Sequence, residues 1–148
     1  MKKKIKKIYI AGCGGMLGDA FYNVFSKKFI IKCTDKIISE NWLSKLDFTE
    51  FDKYRQDVKD FSPDYLIHLG AMTNLEECEI NPEITYLNNT RSVEEAVKIS
   101  NELDIPIIFI STAGIFDGNK DTYEEVDNPN PLSHYGKSKF LAEKYIED

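Results

Sequence analysis

Short β-rich apolar runs alternate along this chain with stretches of helical periodicity, and that alternation constrains the fold more than any other feature. The runs are Lys7–Ala11 (KIYIA), 29–34, 65–69 (YLIHL) and 105–110 (IPIIFI). After the first, Met16-Leu17, Ala20-Phe21 and Val24-Phe25 recur at helical spacing. In 49–61, Phe51, Tyr54, Val58 and Phe61 share one helical face, which Ser62-Pro63-Asp64 punctuates. Pro82 opens a predicted long helix that reaches about Leu103, and 133–146 forms the last. Residues 39–46 read equally as strand or helix. The run 105–110 is the most apolar and predicts the most buried strand. Strands that alternate with helices imply a parallel sheet, because each crossover needs a helix to return the chain. There is no internal repeat and no linker, so residues 1–148 read as one α/β domain.

Composition removes several function classes. A chain of 148 residues, 42% hydrophobic and 30% charged, buries a real core but is too short for two full-sized domains. Its net charge of −6 gives no broad attraction for nucleic acid or anionic lipid. No apolar run approaches the roughly 18 residues of a membrane span. The three cysteines, Cys13, Cys33 and Cys78, form no CxxC pair and no zinc pattern, which points to a reducing cytoplasm. The start, MKKKIKKIYIAGC, imitates a lipoprotein signal, but its apolar stretch is only 8–11, where export needs roughly 7–15 residues.

The chemistry begins at the first strand-to-helix turn. Gly12, Gly15 and Gly18 stand in a Gly-x-x-Gly-x-x-Gly spacing there. A glycine lets the chain turn sharply, a second lets the backbone approach a pyrophosphate, and a third lets the helix pack close to the sheet. The helix N-terminus offers free N–H groups and partial positive charge to phosphates. The spacing is not GxGxxG, and a tight turn without a ligand would need the same residues. Asp35, at the end of the second strand, can accept hydrogen bonds from both adenine-ribose hydroxyls and would repel a 2′-phosphate. This favours NAD(H); Lys36 beside it leaves NADP(H) possible.

The second clue lies on the last helix. Tyr135 and Lys139 are four residues apart and share a face. An ammonium beside a phenol stabilises phenolate and lowers its pKa, giving a usable proton donor or acceptor near neutrality. Ser111-Thr112 ends the IPIIFI strand, where ligands bind in open α/β sheets, so a hydroxyl there could hold a substrate oxygen.

Four stretches, 11–18 (AGCGGMLG), 46–49 (LDFT), 110–118 (ISTAGIFDG) and 128–139 (NPNPLSHYGKSK), resemble the N-terminal part of the extended short-chain dehydrogenases/reductases. Within them the chain most resembles the dTDP-4-dehydrorhamnose reductases. The resemblance implies a Rossmann-type doubly wound parallel sheet of about five strands in the order 3-2-1-4-5. It also implies the site residues. Gly12, Gly15, Gly18 and the Met16-Leu17 backbone would cradle the pyrophosphate, and Asp35 would hold the adenosine ribose. Asp47 and Phe48 would border the adenine. Gly70, Ala71 and Thr73 would line the middle of the cofactor and its nicotinamide-side ribose. Asn88 would prop the backbone of the active site. Thr112, Tyr135 and Lys139 would form the catalytic set, with Tyr135 as acid/base, Lys139 also on the nicotinamide ribose, and Thr112 on the sugar carbonyl. The implied reaction is hydride transfer between a nicotinamide cofactor and the 4-keto group of a nucleotide-linked sugar.

Two departures from the pattern stand out. The reductases carry an Asp-Tyr pair after the Thr, whereas this chain has Ala113-Gly114. Family members also run to roughly twice this length, and only nine residues follow Lys139. The expectation is therefore a Rossmann-type domain without its C-terminal substrate lobe. Strand five would be an uncovered edge, and the chain would form a homodimer or associate with a chain that supplies the lobe. Competing readings are an epimerase or dehydratase of the same superfamily and a non-catalytic NAD(P)-binding regulatory subunit.

The remaining chemical residues have plain readings. His68 lies inside a strand and reads as a packed core histidine, and His134 as a helix-start surface residue. Cys13 has no base motif nearby. Glu76, Glu77 and Glu79 read as a solvated helix start with no metal partner.

Overall fold

The apolar runs assemble as the alternation requires. In the computed structural model, which describes residues 4–147, five strands form one sheet in the order β3-β2-β1-β4-β5 with every pairing parallel. They are β1 (Lys7–Ala11), β2 (Ile30–Asp35), β3 (Leu43–Lys45), β4 (Tyr65–His68) and β5 (Ile107–Phe109). The ambiguous stretch 39–46 contains the short edge strand β3. The expected 3-2-1-4-5 order is thus the observed one. The beginning of the basic leader, residues 1–3, lies outside the described residues.

Helices cover both faces. On one face α1 (Met16–Phe25) lays Phe21, Tyr22 and Phe25 on a layer of Ile8, Ile10, Cys33, Leu43 and Ile67. On the other, α2 (Phe51–Phe61) and α5 (Ser92–Leu103) bury Tyr54, Val58, Ala96 and Ile99 against Tyr9, Ala11 and Leu66. Successive β1 residues therefore serve opposite layers, as the two-residue period of a strand requires. Arg55 of α2 bridges to Glu95 and Glu102 of α5, so the two covering helices are also tied at their outer edge. Between β2 and β3 the chain's single tryptophan, Trp42, stacks on Tyr22 with ring centroids 4.1 Å apart.

The long helix predicted from Pro82 is interrupted. A separate helix α3 (Leu75–Ile80) precedes it, capped by Asn74, whose side chain accepts from the Glu77 N–H at 3.1 Å. Glu76, Glu77 and Glu79 lie exposed on α3, in keeping with a solvated helix start. Pro82 then begins α4 (Pro82–Tyr86), a π-turn occupies Leu87–Arg91, and α5 follows. Proline suits a first helical position because its absent N–H would have no partner there. The last helix, α6 (His134–Glu147), packs on α5 and on the π-turn.

One expectation about burial is overturned. The IPIIFI run is not the most buried strand. Only Ile107–Phe109 is strand, and Ile108 and Ile110 are 43% and 37% exposed, while Tyr9, Ile10 and Leu66 are sealed. Among the described residues β5 is an edge strand with no neighbour beyond it, so its apolar residues have one side to pack on instead of two.

Candidate functional site

At the carboxyl ends of the strands, β1 and β4 diverge into loops that form the floor of a cleft of about 700 Å³. Crevices at this end of an open α/β sheet are where ligands bind. Gly12 has φ +74°, and a Cβ there would stand 2.2 Å from the Gly70 Cα. The two main chains touch, so only glycine fits at that crossing. At Gly18 a Cβ would meet the Cys13 carbonyl at 2.1 Å, which is the close helix packing expected of the third glycine. Gly15 differs from both. Nothing lies within 4 Å of where its Cβ would be, so protein packing does not account for the missing side chain. It immediately precedes α1 and lines the cleft, where a side chain would stand between a ligand and the N–H groups of that helix.

Asp35 closes this wall from the end of β2. Its carboxylate accepts from the Gly14 N–H at 2.9 Å and from the Ile37 N–H at 3.1 Å, and it lines the cleft together with Lys36. Phe48, buried, packs its ring where a Cβ on Gly70 would fall, and this places an apolar surface beside the floor. A smaller recess on the outer side of the turn is lined by Cys13, Gly14, Gly15 and Trp42. Cys13 is fully buried, its Sγ donates to the Gly18 carbonyl at 3.5 Å, and the neighbouring Cys33 thiol, followed by desolvation, holds the Cys13 thiol well above the ordinary range. Such a thiol is no nucleophile at neutral pH.

The opposite wall is α6. A Cβ on Gly136 would stand 2.2 Å from the Gly114 carbonyl, so the helix presses directly on the loop after β5. That contact brings Tyr135 and Lys139 to the cleft, and both line it. Lys139 is 4% exposed, and its Nζ stands 4.0 Å from the centroid of the Phe109 ring. Burial lowers its pKa to about 8, against the opposing charge of Glu143.

A buried polar network lies behind these residues. His68, on β4, contacts the Tyr54 hydroxyl through Nδ1 (3.1 Å) and the Ser92 hydroxyl through Nε2 (3.2 Å). Ser92 Oγ donates to the Asn88 carbonyl at 2.5 Å. Burial first, and the Lys139 charge second, push the His68 pKa down to about 3, so the ring is neutral. It is a packed histidine, as the sequence suggested. His134 begins α6 half-buried, its N–H bonded to Glu79 at 2.6 Å.

Most of the residues singled out in the sequence converge on one cleft. Gly12, Gly15, Met16, Leu17, Gly18, Asp35, Phe48, Gly70, Ala71, Thr73, Asn88, Tyr135 and Lys139 all line it. Asp47 and Thr112 do not. Asp47 Oδ1 accepts from the Thr49 N–H and hydroxyl, at 2.9 and 2.7 Å, and so turns the chain toward α2 instead of bordering the cleft. Thr112 Oγ1 accepts from the Gly114 N–H at 3.1 Å and caps a single 3₁₀ turn, Ala113–Ile115. The strand-end hydroxyl that lines the cleft belongs to Ser111, which donates to Glu143.

The two adjacent asparagines of the π-turn hold different partners. Asn88 Nδ2 bonds within its own helix, to the Ile84 carbonyl at 2.8 Å. Asn89, fully buried, accepts from the Met72 N–H at 2.6 Å and donates to the Met72 carbonyl and to Ser138 Oγ, at 2.9 and 3.0 Å. It thereby joins the loop after β4 to α6. Met72, Asn74, Glu77, Ile84 and Ile110 also line the cleft without having been singled out. Only their positions just after β4, on α3 and α4, and after β5 could have marked them.

A doubly wound parallel sheet with a glycine turn on one wall of its cleft and a Tyr-x-x-x-Lys helix on the other defines a Rossmann-type protein of the short-chain dehydrogenase/reductase class. Residues 6–148 match the family model described as the RmlD substrate binding domain, and the chain belongs to that family. It is 33% identical over 103 residues to the dTDP-4-dehydrorhamnose reductase of Salmonella typhimurium, covering 69% of this chain and 34% of that protein. It is 32% identical over 107 residues to a probable low-salt glycan biosynthesis reductase of Haloferax volcanii, covering 72% of this chain and 36% of the relative. The crystal structure of dTDP-4-dehydrorhamnose reductase from Bacillus anthracis, in complex with NADP, superimposes with a TM-score of 0.89 at 25% identity, over 99% of this chain and 51% of that one. The chain thus spans about a third to a half of the length of these relatives.

Proposed function

We propose that residues 1–148 form the nicotinamide dinucleotide-binding unit of a reductase acting on the 4-keto group of a nucleotide-linked sugar. The observation that carries this reading is the single cleft that joins the Gly15 turn to Tyr135 and Lys139. The residues present fit the cofactor. The open space at Gly15 and the amides that begin α1 suit a diphosphate. Asp35 lines the cleft from the end of β2, and a carboxylate at that point would accept from adenine-ribose hydroxyls and oppose a 2′-phosphate, which favours NAD(H) over NADP(H). Phe48 gives the cleft an apolar flank.

When bound, the dinucleotide supplies the hydride chemistry. The chain's own part is acid-base work and orientation. Tyr135 gives its phenolic proton to the carbonyl oxygen as that oxygen gains charge. The Lys139 ammonium, one helical turn away, would stabilise the phenolate left behind and would hold the ribose hydroxyls of the bound dinucleotide. The strand-end hydroxyls Ser111 and Thr112 are engaged with Glu143 and with the Gly114 N–H, and one of them would have to turn toward the same oxygen to fix its position. Ala113 and Gly114 put neither a carboxylate nor an aromatic ring beside the sugar, so its recognition falls to other groups. We place the protein in the cytoplasm; among the described residues no helix is long and apolar enough to cross a membrane. Its exposed β5 edge suits association with a second copy or with a chain that completes the sheet.

Calorimetric titration of the chain with NADH and with NADPH tests the reading. Binding of NADH, tighter than NADPH, is expected. Asp35→Ala should narrow or reverse that preference, and Gly15→Val should abolish binding while the thermal unfolding midpoint stays within a few degrees. Absence of binding to either nucleotide at millimolar concentration overturns the proposal.

A further inference from the structure

We propose that Phe109 is a positioning residue: the face of its ring seats the Lys139 ammonium, keeping it protonated and directed into the cleft. The inference rests on the reading of Lys139 given above, and it adds a residue to which neither the family pattern nor the spacing of motifs assigns a role.

Lys139 is 4% exposed, and among the described residues its Nζ has no hydrogen-bond or salt-bridge partner, so apart from the water of the cleft it lines nothing solvates its charge directly. A buried ammonium without compensation loses its proton or swings out to water. The group in direct contact with its charge is the Phe109 ring, 4.0 Å from Nζ to centroid, while the Glu143 carboxylate acts from a helical turn away. The negative face of an aromatic ring attracts a cation, and more strongly once both are removed from water.

The backbone explains why the ring is there. β5 pairs with β4 so that Phe109 stands beside His68, on the same face as Ile107, which packs on the core that α2 and α5 cover. Ile108 and Ile110 point to the opposite face and stay exposed. Phe109 is therefore the β5 side chain that can reach α6 at the level of Lys139.

The charged and titratable groups around Lys139 do not replace the ring. On α6, Glu143 raises the Lys139 pKa from a turn away, but its carboxylate accepts the Ser111 hydroxyl. Tyr135 shares the cleft wall. From β4, His68 is neutral. Glu77 of α3, and Asp35 and Lys36 at the end of β2, line other parts of the cleft. The π-turn faces it with the uncharged Asn88.

The test is a titration of the Lys139 side chain in the full chain without cofactor. The ¹³Cε resonance of Lys139, assigned by its disappearance in Lys139→Met, is followed from about pH 6 to 11. Phe109 is replaced by Leu, by Tyr, and by 3,4,5-trifluorophenylalanine, which keeps the ring's shape and removes its negative face. With the fluorinated ring the midpoint should fall by about 0.4 to 1.5 pH units. Phe109→Leu should shift it in the same direction, and Phe109→Tyr should leave it as in the parent. An unchanged or raised midpoint with the fluorinated ring overturns the proposal, and that variant decides the matter even if Phe109→Leu does not fold. The readout needs no nucleotide. Loss of NADH binding in the parent chain would overturn the proposed function and leave this result standing, and the converse also holds.

Discussion

His68 ties the pH dependence of folding to the core. Its ring is sealed, its two nitrogens meet Tyr54 and Ser92, and it is held neutral. In the unfolded chain the imidazole takes a proton near its ordinary pKa of about 6.5, whereas in the folded protein it does so only near 3. Between those values the unfolded state binds more protons, so stability is complete above about pH 6.5 and is lost as the pH falls toward 3. Unfolding by urea at pH 7 and pH 4.5 should show the parent losing about 2–3 kcal/mol more than His68→Asn does over the same interval. Equal losses in the two proteins would show that the histidine is not the group responsible.

At the scale of elements, the π-turn organises the cleft. Its extra residue per turn shifts the face that the helix presents, and in the turn Asn89 and Thr90 both reach α6, through Ser138 Oγ at 3.0 Å and the Ser138 carbonyl at 2.8 Å. Asn89 also closes both polar groups of Met72, in the loop beneath the cleft. Removing it in Asn89→Ala leaves buried groups without partners and should cost about 1–3 kcal/mol in chemical denaturation. Amide exchange in 70–73 should quicken in the same variant while β1 stays protected.

This element was not legible in the sequence, for a physical reason. Between Leu87 and Ser92 the residues are Asn, Asn, Thr and Arg, so apolar periodicity has nothing to report where the register slips. The partners that fix the turn, Met72 and Ser138, are far away in the chain. By contrast β1, α1 and α2 were readable, because their burial is decided by local pattern. The 105–110 run shows the converse limit: apolar composition tells that a strand wants cover, but not on how many sides cover exists.

For the whole molecule, the strand order followed from the family resemblance and the two walls of the cleft from two short motifs, because a parallel sheet leaves few places where a glycine turn and a Tyr-x-x-x-Lys helix can meet. What escaped was the aim of individual hydroxyls. Ser111 and Thr112 are equivalent in sequence, and only the cap at Gly114 separates them. At the same scale, the half-exposed Ile108 and Ile110 make the β5 side of the sheet adhesive. Sedimentation at increasing concentration should show the parent's mean mass rising above 17.0 kDa, and Ile108→Lys holding it there. Concentration-independent monomer behaviour of the parent would rule that edge out as a contact.

The stack of Trp42 on Tyr22 has a practical consequence. The chain's only indole stands against the outer side of the glycine turn, so its emission is a built-in gauge of that turn. Whatever settles on the amides opening the first helix is registered by one native fluorophore, with no label attached and no second tryptophan to subtract.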